Sequence, residues 1–171
     1  MGELTDQRNE TPAQRADRNF GELLQELRVL QTGVQILFGF VLIMSVQPLL
    51  HDASRFTKAA YLVVLGLCCV STALLMGPAA YHRMLFGKGR KAEVVKGSHL
   101  LARSGIVALM LAICAAVLLV TDLVAGRTMG WIFTALVLAF FVAVWYVMPA
   151  IRGRLAEGPA PRAEDSPNDG P

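Results

Sequence analysis

Arg28, Gln31, Thr32 and Gln35 stand close together where a polar amino-terminal segment of this chain turns into a long apolar run. On a helix advancing about 100° per residue, Gln25, Arg28, Thr32, Gln35 and Gly39 fall on one stripe, with Gln31 at its flank. Arg28 can extend its stem and leave its guanidinium in the headgroup region. Thr32 and Gln35 lie one and two turns deeper, where a lipid-facing amide has no partner. Two chemistries suit such a stripe. One is hydrogen bonding between helices, closing a bundle or a dimer, with Gly39 allowing close approach. The other is a polar pocket opening to the cytoplasm, able to admit an ion or a proton. The first is the commoner use of polar side chains in spans, so the stripe is expected to face protein.

The other candidates are weaker. Asp122 and Arg127 lie just beyond the ends of two apolar runs, and Asp122 is expected to meet Arg127 or Arg55 at the outer surface. Lys88, Arg90, Lys91 and Lys96 form a basic group in the middle connection that could hold anionic lipid headgroups, although short loops carry such charge in any case. The "GKG" at 87 to 89 lacks the upstream Gly and the following Ser or Thr of a phosphate-binding loop. His82 and His99 flank that connection without carboxylate partners. Glu22 and Glu26 sit one turn apart beside Arg18 and Arg28, which reads as a solvated charged face. Cys68, Cys69 and Cys114 all fall in apolar runs, giving no support to a disulfide framework or a zinc site. No nucleophile stands near a base, so neither an enzyme, a metal site nor a cofactor is expected.

The elements that position these residues follow from hydropathy. In 171 residues, 54% are hydrophobic and 17% charged, with a mean hydropathy of +0.50. Four runs approach the roughly 20 apolar residues that span a bilayer: about 29–50, 59–81, 100–121 and 128–151. Thirteen Lys and Arg fall in the amino-terminal tail, the middle connection and the carboxy-terminal end, against three in the short connections. The positive-inside rule then puts both termini in the cytoplasm of a plasma-membrane protein. Tyr61 and Trp131 would lie at the outer interface, and Tyr81, Trp145 and Tyr146 at the inner one. Thr11, Pro12 and Gln14 resemble a capping box, and Phe20, Leu23, Leu24 and Leu27 follow at helical spacing. The expected order is a flexible segment 1–10, an amphipathic helix 11–28 at the interface or continuous with the first span, a four-helix transmembrane domain 29–151, and a disordered tail 152–171. No removable signal peptide is expected. Small residues at Ser104, Ala108, Ala112 and Ala116, and at Cys69, Ala73 and Gly77, suggest packing ridges. The partners implied are the bilayer, its anionic headgroups, and a second copy or another membrane protein; the basic residues form no face for nucleic acid.

The stretches "ETPAQRADRNFGELLQELRVLQTGVQILFGF", "YLVVLGLCCVSTALLMGPAAYHRMLF" and "GRTMGWIF" resemble an uncharacterised bacterial family of four-span membrane proteins, known as a domain of unknown function. The resemblance covers about residues 10 to 152, and "NFGELLQELRVLQTGVQ" is its most specific part. Some members are labelled sodium:proton antiporters, which would imply a proton or Na⁺ site near the midplane. None of the four runs places a carboxylate there. The fold class expected is therefore an all-α membrane bundle of four helices with an amphipathic amino-terminal helix. Its expected role is that of a non-enzymatic packing or partner-binding component, with a small cation:proton transporter as the alternative.

Overall fold

The computed structural model describes residues 12–85 and 91–156. Their backbone is helical almost throughout: α1 (Pro12–Met44), a one-turn α2 (Pro48–His51), α3 (Arg55–Leu85), α4 (Lys91–Ala125) and α5 (Arg127–Val142). A π-helical segment (Ala143–Val147) then leads into α6 (Met148–Ala156). Stretches long and apolar enough to cross a membrane occupy Gly21–Met44, Arg55–Ala80, Gly97–Ala125 and Arg127–Arg152. The chain is thus an all-α, four-span membrane protein, as hydropathy requires. It divides into two compact units, residues 1–134 and 135–171.

The helix boundaries differ from the hydropathy reading in instructive ways. The amphipathic segment and the first span form one unbroken helix, because nothing between Phe20 and Val29 interrupts its hydrogen-bond ladder. That helix ends at Met44 instead of running to Leu50. Pro48 disfavours helical geometry at the residue before it, and Gln47 is accordingly extended at φ −81°, ψ 134°. The Ser45 hydroxyl donates to Leu42 O at 2.7 Å, satisfying one carbonyl of the last turn. The α3 helix begins at Arg55, four residues earlier than expected. Ser54 caps it, its Oγ accepting the Thr57 N–H at 3.2 Å. Lys91 and Lys96 lie on α4 backbone and not in a loop, while Lys88 and Arg90 fall outside the described residues. The turn between α4 and α5 narrows to Gly126, whose φ of 84° suits a residue without a Cβ.

In the first unit, α3 and α4 run antiparallel and approach closely. A methyl placed on Gly105 would stand 2.8 Å from Leu75 Cδ2 and 3.1 Å from the Leu75 backbone nitrogen. One on Gly77 would stand 2.9 Å from Leu101 Cδ1. Within this contact the buried Ser71 hydroxyl donates to Gly105 O at 3.0 Å. The α1 helix lies against the pair through Leu27, Val34 and Val41, all nearly inaccessible. Toward the short connections the core gathers Val41, Tyr61, Val64, Cys68, Ala112 and Leu119. Toward the longer connection it gathers Leu27, Leu75 and Ala102.

The packed faces differ from the expected ones at two places. Tyr61 does not sit at a lipid interface; it belongs to the core, because α3 turns that face toward its neighbours. The ridge Cys69, Ala73, Gly77 is not the packed face either, since Cys69 and Ala73 are exposed. The buried line on α3 is Tyr61, Val64, Cys68, Ser71, Leu75 and Pro78. Of the α4 ridge, Ala108 and Ala112 are buried, whereas Ser104 and Ala116 are only partly so. Residue size alone does not tell which side of a helix faces a partner.

In the second unit, helical hydrogen bonding slips by one residue. The Met148 N–H bonds to Ala143 O, a five-residue step, just before Pro149, which has no N–H to continue the ordinary ladder. Phe141 and Trp145 meet edge to face with centroids 5.0 Å apart.

The close α3–α4 approach yields a direct test. Gly105→Ala should destabilise the protein by about 1–3 kcal/mol, as overpacking of a tight contact does. A methyl at Gly33 meets no atom within 4 Å, so Gly33→Ala should be neutral or stabilising by up to about 1 kcal/mol through helix propensity. Thermal unfolding of both variants in one detergent measures the contrast.

Candidate functional site

Four polar side chains of the first unit meet where α3 begins, α4 ends and α5 begins. The Thr57 hydroxyl donates to Asp122 Oδ2 at 2.6 Å. With its hydrogen committed there, Thr57 must accept from the Ser54 hydroxyl 2.8 Å away. Ser54 Oγ in turn accepts from an Arg127 terminal nitrogen at 3.2 Å. Arg127 Nε closes the circuit, 3.7 Å from Asp122 Oδ1. The result is a ring in which donors point one way round, from Arg127 through Ser54 and Thr57 to Asp122, and back by charge.

Burial shows which links dominate. The Asp122 side chain is 7% exposed, against 52% for Arg127. At 3.7 Å with a half-exposed partner, the ion pair is a weak link, and the short hydroxyl bond to the carboxylate is the stronger one. Arg127 also lies over the Phe56 ring, 4.0 Å from its centroid. Phe56 in turn meets Trp131, centroid to centroid 6.1 Å. Gly130 lets α5 start this close, since a methyl there would stand 3.2 Å from Leu118 Cδ1 and 3.4 Å from the Asp122 nitrogen. Beside the ring opens a shallow cavity of about 390 Å³, lined by Ala53, Ser54, Thr57, Asp122, Leu123 and Arg127.

Of the residues expected from sequence, Asp122 does meet Arg127, and it is Arg127 rather than Arg55 that takes the role. Ser54, Phe56 and Thr57 lie ahead of the apolar run at 59–81, and hydropathy marks only the apolar part of a helix that begins at Arg55. A Ser three residues before a Thr just ahead of an apolar run is a cap signal that would have found two of them.

The stripe on α1 divides. Gln31 faces protein: its Nε2 donates to Leu75 O at 2.8 Å. That carbonyl lies next to Leu74, whose own carbonyl loses its usual donor because Pro78 has no N–H, so Gln31 supplies polar contact where the α3 ladder is interrupted. The rest of the stripe does not face α3 or α4, so of the two protein contacts expected, a bundle or a dimer, it makes no bundle contact within the chain. Arg28, Thr32 and Gln35 are exposed, and Thr32 bonds back to its own helix at Arg28 O, 3.0 Å. The physical reason is angular: Leu27, Val34 and Val41 take the inward face, and the stripe lies more than a third of a turn away from it. His99, Glu22 and Glu26 are exposed. Among the described residues no three His, Cys, Asp or Glu side chains could together hold a metal ion.

Four apolar helices, three of them drawn together at one end by a polar ring, define a multi-pass all-α membrane protein. Residues 9–149 match a family of unknown function, DUF6328, and the chain belongs to that family. Comparison with curated proteins and with solved structures returns no match.

The ring predicts its own disruption. Thr57→Val keeps the shape and removes the bond to Asp122, leaving a nearly buried carboxylate short of a donor. The expected loss is about 1–3 kcal/mol. Combined with Asp122→Asn, the double variant should lose less than the sum of the two single losses, which a double-mutant cycle of unfolding free energies measures.

Proposed function

We propose that this chain is a non-enzymatic component of the plasma membrane that works through helix packing and contact with a membrane partner, not by moving ions. The observation that carries this reading is the placement of its ionisable side chains. Within 29–50, 59–81, 104–121 and 128–151 the sequence has no Asp, Glu, Lys, Arg or His. The carboxylate nearest the third of these runs, Asp122, is engaged by Thr57 and Arg127. Ion and proton pathways through membranes ordinarily rely on such groups within the spans. The excess of Lys and Arg in the tails and the middle connection supports an orientation with both termini in the cytoplasm. On that side Lys88, Arg90, Lys91 and Lys96 would meet anionic headgroups.

A second reading, cation:proton exchange at Asp122, draws on the cavity that opens beside the polar ring. Arg127 and Thr57 already occupy the carboxylate, and a site at one end of the spans reaches neither the midplane nor the opposite face. Proton flux driven by Na⁺ or K⁺ gradients, measured in proteoliposomes, decides between the two. The expected result is flux no greater than in empty vesicles. Flux above that control which falls in Asp122→Asn would replace the packing reading with transport.

A further inference from the structure

The α1 helix carries two seams. The inner one, Leu23, Leu27, Leu30, Val34, Leu37, Val41 and Met44, alternates steps of four and three residues and packs into the protein. A second series repeats the same steps two residues earlier: Gly21, Gln25, Arg28, Thr32, Gln35, Gly39 and Leu42. Two residues is about 200° around a helix, so this series lies on the side facing away from α3. All of its members are exposed except the half-buried Gly39, and methyls at Gly21 and Gly39 would meet no atom within 4 Å.

The outer seam does not have the composition of a lipid face. Its neighbours Val29, Ile36, Phe40 and Ile43 are large, apolar and 57–69% exposed, as side chains among lipid tails should be. From Gly21 to Gly39, by contrast, every seam position is glycine or polar. Such a face suits a close helix–helix contact with hydrogen bonds across it, and its 3.5-residue repeat is that of a left-handed pair of parallel helices.

We propose that this seam joins two copies of the chain, α1 against α1, about a two-fold axis normal to the membrane. This rests on the reading of the protein as a component that works by contact, and it names the partner. The argument for a second copy is self-complementarity. Two copies inserted in the same direction place equal depths opposite each other, so Gln35 meets Gln35, Thr32 meets Thr32 and Gly39 meets Gly39. An amide is both donor and acceptor and can pair with its own kind. Among the described residues no hydrogen bond engages the Gln35 side chain within the chain. Glycine facing glycine lets the backbones approach. Arg28 would oppose its own charge, but it stands two turns toward the amino terminus, and its long stem carries the guanidinium sideways to the headgroups.

The full chain in proteoliposomes, with Cys68, Cys69 and Cys114 replaced by serine or alanine, tests this by oxidative cross-linking of single new cysteines. Thr32→Cys, Gln35→Cys and Gly39→Cys should give covalent dimers, while Phe40→Cys and the exposed α3 position Leu62→Cys should not. In a dilution series read by energy transfer between labelled copies, Gln35→Leu should weaken association about three- to fifteen-fold, and Gly39→Leu should abolish seam cross-links. Both substitutions make α1 more apolar at positions no core residue touches, so loss of folding does not confuse the result. Monomers at all dilutions, or equal cross-linking at Leu62 and on the seam, would overturn the dimer. If the seam fails while vesicles carry no flux, contact with a different membrane partner remains as the function. If flux appears, the contact reading itself falls, whatever the cross-links show.

Discussion

The structure depends on how near α3 comes to α4. The Ser71 hydroxyl reaches Gly105 O only because Gly105 has no side chain to hold the helices apart. Once that contact is made, the antiparallel register of the two helices is set, and their far ends follow. Thr57 arrives opposite Asp122, Leu101 covers Gly77, Tyr61, Val64 and Cys68 close on Ala112 and Leu119, and Leu75 closes on Ala102. Lipid tails supply little hydrophobic drive between helices, so close packing and a few hydrogen bonds must hold the seam.

The polar groups of the first unit differ in how they are met. At the start of α3 and the end of α4 they are consumed internally: the hydroxyl hydrogens of Ser54 and Thr57 each have an acceptor, and Asp122 is held from two sides. Gln31 is likewise absorbed, meeting a carbonyl of a helix that a proline interrupts. Along the outer side of α1, Arg28 and Gln35 are exposed and Thr32 bonds only to its own helix. Two buried hydroxyls, Ser98 Oγ and Thr134 Oγ1, have no hydrogen-bond partner among the described residues.

The sequence by itself determined the number of spans, because hydropathy sums over some twenty residues and single errors average out. It also narrowed the partner of Asp122 to Arg127 or Arg55, since residues flanking short connections on one side have little freedom to be elsewhere; the fold chose Arg127. What it did not determine was which side of each helix faces protein. The hydropathy of Tyr61, Cys69 or Ala73 is much the same whether a neighbouring helix or lipid lies beyond it, so the packing ridge on α3 and the place of Tyr61 were decided only when the helices came together. The same holds for the α1 stripe, where Gln31 turned inward and Thr32 and Gln35 outward. In water, polarity separates inside from outside; in a bilayer both sides of a helix are apolar, and only tertiary contact distinguishes them.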